Sequence, residues 1–272
     1  CTDVIVLHTD NQAYIYTAMT DARQFGAVVV TGASRGIGAA VARKLAERGV
    51  PVCIIHSNSP AEANAVRQDI AASGGRAHVV QADLAQESNV VHLFEQVDRH
   101  LGRLGGLVNN AAYVGRCGRR VDEADAAVLQ RTFAVNVIAP MLCAREALRR
   151  MSSRHGGSGG RIVNISSIAS RTGSANDWVD YAASKAAINT FTLGLAREVA
   201  RDGVQVNGVA PGVVDTQIHE RSGSPGRLAG IGRATPMGRP GSADEIAAVV
   251  VWLLTQAPDY VHGTTIEVSG GL

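Results

Sequence analysis

The chain has 272 residues, 46% of them hydrophobic, which suits one large α/β domain with a substantial core better than two small ones. Its formal charge of +2 provides no basic field for a polyanion and so excludes nucleic acid as a partner. Cys1, Cys53, Cys117 and Cys143 have neither metal-ligand spacing nor the clustering of a disulfide framework, which points to a reducing cytoplasm and no metal, and no uninterrupted apolar run reaches the roughly 18 residues of a membrane span.

In chain order, residues 1–24 read as an appendage. Cys1-Thr2-Asp3-Val4-Ile5-Val6-Leu7 lacks the basic start of a secretory signal. Met19 is the expected natural start, leading through Thr20 to Gln24 into the first strand, and an arm packed on a neighbouring subunit is the alternative. From residue 25 to 272, apolar runs alternate with longer periodic segments, the pattern of strand–helix–strand crossovers. Strands are predicted near residues 27–30, 52–55, 77–81, 106–108, 161–165, 204–209 and 264–268, and helices over 37–48, 61–72, 87–101, 123–151, 179–201 and 243–255. Right-handed crossovers then give an α/β, doubly wound domain of Rossmann type. Its seven-stranded, mainly parallel sheet carries helices on both faces and brings the strand carboxyl ends to one edge. Gly156-Gly157-Ser158-Gly159-Gly160 reads as a turn before the fifth strand, and about 215–239 as a substrate lid rich in glycine and serine. In that lid His219, Glu220 and Arg221 face either a polar substrate or water.

Two motifs carry chemistry. After the apolar Ala27-Val28-Val29-Val30 comes Thr31-Gly32-Ala33-Ser34-Arg35-Gly36-Ile37-Gly38, directly before a helical run. A strand, a glycine turn and a helix N-terminus together make a phosphate site, because unpaired N–H groups and the positive end of the helix dipole meet the anion there. The spacing G-x-x-x-G-x-G differs from both G-x-G-x-x-G and the Walker loop. Further on, Tyr181 and Lys185 are four residues apart and share a helix face, so the ammonium is expected to favour the ionised phenol. Ser167 ends the strand-like run Arg161 to Ser167 just upstream.

With these motifs the chain resembles the short-chain dehydrogenase/reductase family from about Phe25 to Leu272. The family's glycine turn is matched by Thr31 to Gly38, its Asn-Asn-Ala-Gly segment by Asn109-Asn110-Ala111-Ala112, and its helix asparagine by Asn136. Its catalytic serine corresponds to Ser167, its Tyr-x-x-x-Lys to Tyr181 and Lys185, and its Pro-Gly cofactor loop to Pro211 through Thr216. Ala112 stands where glycine is usual, with little expected consequence. The resemblance implies that Tyr181 exchanges the proton, Ser167 hydrogen-bonds the reacting oxygen, and Lys185 tunes Tyr181 and bonds the nicotinamide ribose, while Asn136 holds a relay water. Ser166 is the neighbour most easily confused with Ser167, but successive strand residues face opposite ways. For the cofactor the resemblance implies contacts from Gly32, Ser34, Arg35, Gly36, Ile37 and Gly38. It adds Asp83 with Leu84 at the adenine, Asn109 serving the ribose and the central sheet together, Ala111, and Pro211, Val214 and Thr216 at the nicotinamide.

Cofactor choice turns on the end of the second strand, where an acidic residue would bind the ribose hydroxyls and repel a 2′-phosphate. Here the chain has His56-Ser57-Asn58, with Glu62 already in the next helix, while Arg35 offers a forked cation. NADP(H) is therefore expected over NAD(H). The expected reaction is hydride transfer to or from a carbonyl or secondary alcohol on a small molecule, a general ketone or aldehyde reductase ranking above 3-oxoacyl-carrier-protein reductase and glucose 1-dehydrogenase. A catalytically silent dinucleotide sensor or scaffold is the alternative of another class. A serine hydrolase is disfavoured because no Gly-x-Ser-x-Gly elbow surrounds Ser167. Trp178 is expected either in the pocket or as packing at the helix entrance. The family resemblance implies a homotetramer or dimer, in keeping with the apolar surface of the 179–201 helix.

Overall fold

The structure, a computed structural model, describes residues 5–9, 12–16, 25–218, 228, 230, 233 and 235–272. Strands β1 (Ile5–Thr9) and β2 (Gln12–Tyr16) form an antiparallel hairpin, an element the sequence reading left out. The main sheet comprises β3 (Ala27–Val30), β4 (Val52–His56), β5 (Ala77–Gln81), β6 (Leu104–Asn109), β7 (Gly160–Ile165), β8 (Val204–Pro211) and β9 (Thr265–Val268). Its order is β5-β4-β3-β6-β7-β8-β9, and every pairing is parallel.

The helices are α1 (Gly36–Glu47), α2 (Pro60–Ala72), α3 (Glu87–His100), α4 (Ala126–Phe133), α5 (Ala139–Met151), α6 (Ala169–Thr172), α7 (Val179–Val199) and α8 (Ala243–Thr255). Alternation along β3 and β4 divides the core between two faces. Val28, Val30, Val52 and Ile54 pack with α1, α2 and α8, whereas Ala27, Val29, Cys53 and Ile55 pack with α3, α5 and α7. With both faces covered, the central strands are continuously apolar, as parallel sheets require. Fully buried Phe94, Leu93 and Met151 anchor the second face, and each such side chain contributes about 1.5–3 kcal/mol relative to exposure.

Where the sequence reading predicts one helix over 123–151, the structure has a 3₁₀ turn at Val121–Glu123, then α4, a π-helical turn at Ala134–Ile138, and α5. The π turn centres on Asn136, and such bulges commonly mark functional positions. The column Ala126–Met151 is long and apolar enough to cross a membrane by length and composition. Its inner face is nevertheless sheet core: Ala139, Cys143, Ala144, Ala147 and Met151 all belong to the second cluster. At its end Arg145, Arg149 and Arg150 surround the buried carboxylate of Glu146.

The chain first builds outward from β3 to β4 and β5, then crosses back to β6 on the other side. The crevice above β3 and β6 is therefore the switch point at which open α/β sheets bind ligands. Entry into β3 is tight. The register slips between Ala27 and Val28 opposite β6, and a Cβ placed on Gly105 would lie 1.7 Å from the carbonyl oxygen of Phe25. Gly105→Ala should therefore lower stability by about 3 kcal/mol, read as a fall in the urea midpoint at unchanged slope. An unaltered midpoint would show that the Phe25 backbone yields.

Candidate active site

A cavity of about 640 Å³ runs along the carboxyl ends of the strands. Its floor comes from residues at or just after strand ends: Gly32 after β3, His56 at the end of β4, Ala82 after β5, Asn110 after β6, Ile165 at the end of β7 and Pro211 at the end of β8.

One end is the glycine cradle. Gly32 (φ +63°) and Gly36 (φ +53°) adopt left-handed backbone that side chains disfavour. A Cβ on Gly32 would come 2.9 Å from Ala111 Cα, and one on Gly38 would come 2.5 Å from the carbonyl oxygen of Gly32. Asn110 seals this turn: its Nδ2 donates to the carbonyls of Thr31 (2.8 Å) and Gly32 (3.1 Å), while Thr31 Oγ1 accepts from the backbone N–H groups of Asn110 and Ala111. The cradle is shaped for a backbone-bound diphosphate. Gly32, Ser34, Arg35 and Ile37 line the cavity; Gly36 and Gly38 lie outside the lining and serve the turn and its packing.

Arg35, His56, Ser57, Asn58 and Ser59 form the rim beside the cradle. Arg35 Nη2 donates to Ser59 Oγ and, at 3.1 Å, to Glu62 Oε1, while its buried Nε has no hydrogen-bond partner among the described residues. Glu62, read in the sequence only as a helix residue, thus reaches back to the candidate phosphate-binding cation. His56 is buried, its Nδ1 accepts from the Ser59 N–H at 3.2 Å, and burial lowers its pKa against the raising effect of Glu62. Asp83 and Leu84 also line the cavity. Both Asp83 carboxylate oxygens accept from Arg131 (3.0 and 2.9 Å), and these bonds hold its pKa below the usual carboxylate range. Arg131 is a lining residue the sequence reading missed; its position five residues before Asn136 gave no cue to an Asp83 partner 48 residues away.

Asn109 takes up the sheet role expected of it. It is buried and absent from the lining; its Nδ2 donates to Asn164 Oδ1 (2.9 Å) and to the carbonyl of Pro140 (3.3 Å), and Asn164 in turn donates to Thr192. Its side chain ties β6 to β7 and α5. Ala111 and Ala112 do line the cavity, and Ala112 has no positive φ, so its methyl meets no left-handed strain.

At the other end Ser167, Tyr181 and Lys185 share one wall. Tyr181 and Lys185 come from α7, and Ser167 from the turn after β7. Ser166 is buried and donates to the Lys185 carbonyl at 3.2 Å, whereas Ser167 hydrogen-bonds the Tyr181 side chain, which separates their roles. The Ser167 hydroxyl also accepts from the Ala169 N–H at 3.1 Å. Lys185 Nζ donates to the Ile165 carbonyl at 2.6 Å and lies 5.6 Å from the centre of the Tyr181 ring.

This arrangement corrects the expected electrostatics. Burial pushes the Tyr181 phenol up to about 12, opposed by the Ser167 hydrogen bond, and burial lowers Lys185 to about 8. Desolvation penalises both charged forms, and it outweighs the expected help from the ammonium. Tyr181 keeps partial contact with the open cavity.

Asn136 is also outside the lining. Its Oδ1 accepts from the Tyr113 N–H (2.7 Å), and its Nδ2 donates to the Tyr113 carbonyl (2.9 Å) and to Ser184 Oγ (3.1 Å). It therefore joins the loop after β6 to the helix of Tyr181, instead of bonding local helix backbone. Trp178 combines the two roles expected of it. It is buried, lines the cavity and meets the Tyr181 ring edge-on at 5.9 Å. Pro211, Val214 and Thr216 line the cavity between the two ends, whereas His219, Glu220 and Arg221 lie outside the described residues, as does Met19. No group of three or more metal-ligating side chains occurs among the described residues.

Lys44 and Lys185 are the two lysines of the chain, so their side-chain nitrogens can be followed individually by NMR after lysine labelling. The Lys185 resonance should titrate at about 8, below the ordinary lysine value of about 10.4. A Lys185 titration at the ordinary value would contradict the burial argument.

Residues 32–272 match the family model described as enoyl-(acyl carrier protein) reductase. An uncharacterized oxidoreductase, YgfF, of Escherichia coli is 45% identical over 89% of this chain and 98% of its own length. The chloroplastic NADPH-dependent aldehyde reductase-like protein of Arabidopsis thaliana is 33% identical over 89% of this chain and 92% of its own. Among solved structures, a short-chain dehydrogenase from Burkholderia cenocepacia in complex with NADP superposes with a TM-score of 0.82 at 35% identity, covering 91% of this chain and 97% of the other.

Proposed function

The chain belongs to the short-chain dehydrogenase/reductase family of oxidoreductases, and from that premise we propose that it is an NADP(H)-dependent reductase of neutral ketones or aldehydes. The carrying observation is that Ser167, Tyr181 and Lys185 occupy one wall of a cavity whose far end is the glycine cradle. A bound nicotinamide cofactor would supply the hydride donor or acceptor. Its diphosphate would be held at the turn from Gly32 to Gly38, where Gly32, Ser34, Arg35 and Ile37 line the cavity at the start of α1.

In this reading the neutral Tyr181 phenol gives its proton to the oxygen that becomes the alcohol. Ser167 donates a hydrogen bond to the same oxygen, stabilising the charge that develops there. A tyrosine held near 12 is fully protonated at neutral pH, which favours reduction. The oxidative direction needs the phenolate, whose fraction grows tenfold per pH unit below that value, so oxidation should accelerate as pH rises. Lys185 holds the loop after β7 through the Ile165 carbonyl, and Asn136 fixes the wall residue Tyr113.

The preference for NADP(H) is supported by Arg35 on the cavity rim and by His56-Ser57-Asn58 in place of an acid at the end of β4. Because Glu62 pairs with Arg35, a 2′-phosphate would compete with that carboxylate. Among the described residues the substrate end combines the apolar Val114, Ile168, Trp178 and Ile218 with Gln217 and Asp177, and its cation, Lys185, is engaged by the Ile165 carbonyl, which suits neutral carbonyl compounds. We propose assembly into a tetramer or dimer through the outer faces of α4–α5 and α7, where Phe133, Ile138, Met141, Val179 and Leu193 are exposed. A cytoplasmic setting accords with the buried thiols of Cys53 and Cys143, neither of which forms a disulfide.

NADPH oxidation measured across small ketones, aldehydes, sugars and 3-oxoacyl thioesters tests the reading. Turnover should be best with neutral ketones or aldehydes, and Tyr181→Phe should lower kcat by roughly 10²–10⁴ without weakening NADPH binding; a panel with no turnover defeats the proposal. Arg35→Ala should raise the KM for NADPH by about tenfold or more, the scale of a lost charge-assisted contact, and leave that for NADH nearly unchanged. Equal effects on both cofactors would remove the NADP(H) assignment.

A further inference from the structure

The loop after β6 carries a buried ion pair that none of the chemistry above uses. Arg119 Nη2 donates to Asp180 Oδ1 at 2.8 Å, and the two side chains are 8% and 6% exposed. The second carboxylate oxygen accepts from Thr132 Oγ1 at 3.1 Å, and Thr132 itself is fully buried on α4. Asp180 is the residue before Tyr181, in the first turn of α7. One carboxylate thus joins the loop, α4 and the helix that carries the tyrosine. A second tie runs in parallel: the Gly118 N–H donates to Asp177 Oδ1 at 3.1 Å.

The loop is pinned at both ends. Asn136 holds both backbone polar groups of Tyr113, and Asp180 holds Arg119. Between these anchors Val114 lines the cavity next to Tyr113, and at Gly115 the chain turns back so closely that a Cβ would lie 2.9 Å from Val128 Cγ1 and 3.6 Å from Arg119 Nη1. A buried ion pair adds little net stability over an apolar pair of the same shape. Its place beside Tyr181 is better explained by the geometry it fixes, since Arg presents a rigid fork that sets distance and direction together.

We propose that Arg119 is a positioning residue for the carbonyl substrate: through Asp180 it locks the cavity wall at Tyr113 and Val114 to the helix turn bearing Tyr181. This rests on the carbonyl-reductase reading of the site. The wall faces the substrate end, so loosening it should impair substrate placement and spare the cradle. A small misplacement of reacting groups costs on the order of 10²-fold in rate.

The test compares wild type with Arg119→Met, Arg119→Lys and the double variant Arg119→Met/Asp180→Asn. The readouts are steady-state kinetics on the best carbonyl of the panel and NADPH dissociation constants from fluorescence titration. Arg119→Met should lower kcat/KM on the order of 10²-fold, mainly through KM, with NADPH affinity within about twofold of wild type; Arg119→Lys should recover part of the loss by restoring the charge. The double variant buries no unpaired charge and so remains informative if Arg119→Met does not fold; it should keep the raised KM because the tether is gone. A double variant with wild-type KM, a parallel loss of NADPH affinity, or failure of both variants to fold would overturn the assignment. A wild-type chain that binds NADPH but turns over no carbonyl would defeat the reductase reading as well, whereas turnover that is indifferent to Arg119 defeats this assignment alone.

Discussion

Desolvation at the wall shared by Ser167, Tyr181 and Lys185 governs the rest of the site. The same burial that raises the tyrosine and lowers the lysine keeps a phenolic proton available beside an open cavity and leaves the amine close to a switchable charge. The hydroxyl of Ser167 is the one contact acting against burial at Tyr181, so the serine does more than meet a substrate oxygen: it sets how readily its neighbour gives up a proton. The fold provides this by placing the three groups on two elements, the turn after β7 and the helix α7, that are fastened to each other through the Lys185 amine and the Ser166 hydroxyl.

The sheet explains why such a wall can coexist with a cofactor cradle. Continuous apolar strands are buried on both faces, so polar chemistry is confined to the strand ends. There the reversal of strand order opens a crevice that backbone groups cannot fill. Asparagines then do the joining that apolar contacts cannot: buried Asn109 and Asn164 cross between strands, half-buried Asn110 closes the glycine turn, and buried Asn136 links loop to helix. Each is satisfied by partners far away in sequence, which holds the site without relying on the flexible ends of charged side chains.

Much of this was legible in the sequence because it is local. The run Ala27 to Gly38 encodes strand, turn and helix start in twelve consecutive residues, and the spacing of Tyr181 and Lys185 follows from helical period alone. What escaped the sequence depends on non-local contacts. The partnership of Asp83 with Arg131, the bond from Asn109 to the Pro140 carbonyl, and the pairing of Arg119 with Asp180 each join residues at least 31 positions apart. The π turn at Asn136 was hidden because apolar periodicity runs through it unbroken. The direction of the Tyr181 shift was missed for another reason: spacing brings a cation near a phenol, but only packing tells how much water both have lost.

The most direct test of this account is the ionisation of Tyr181 itself, followed as the ultraviolet difference between wild type and Tyr181→Phe during an alkaline titration without cofactor. Burial opposed by Ser167 predicts ionisation at about 12, above the ordinary tyrosine value of about 10, moving still higher in Ser167→Ala. A phenol that ionises below the ordinary value, or one that ignores the loss of Ser167, would contradict it.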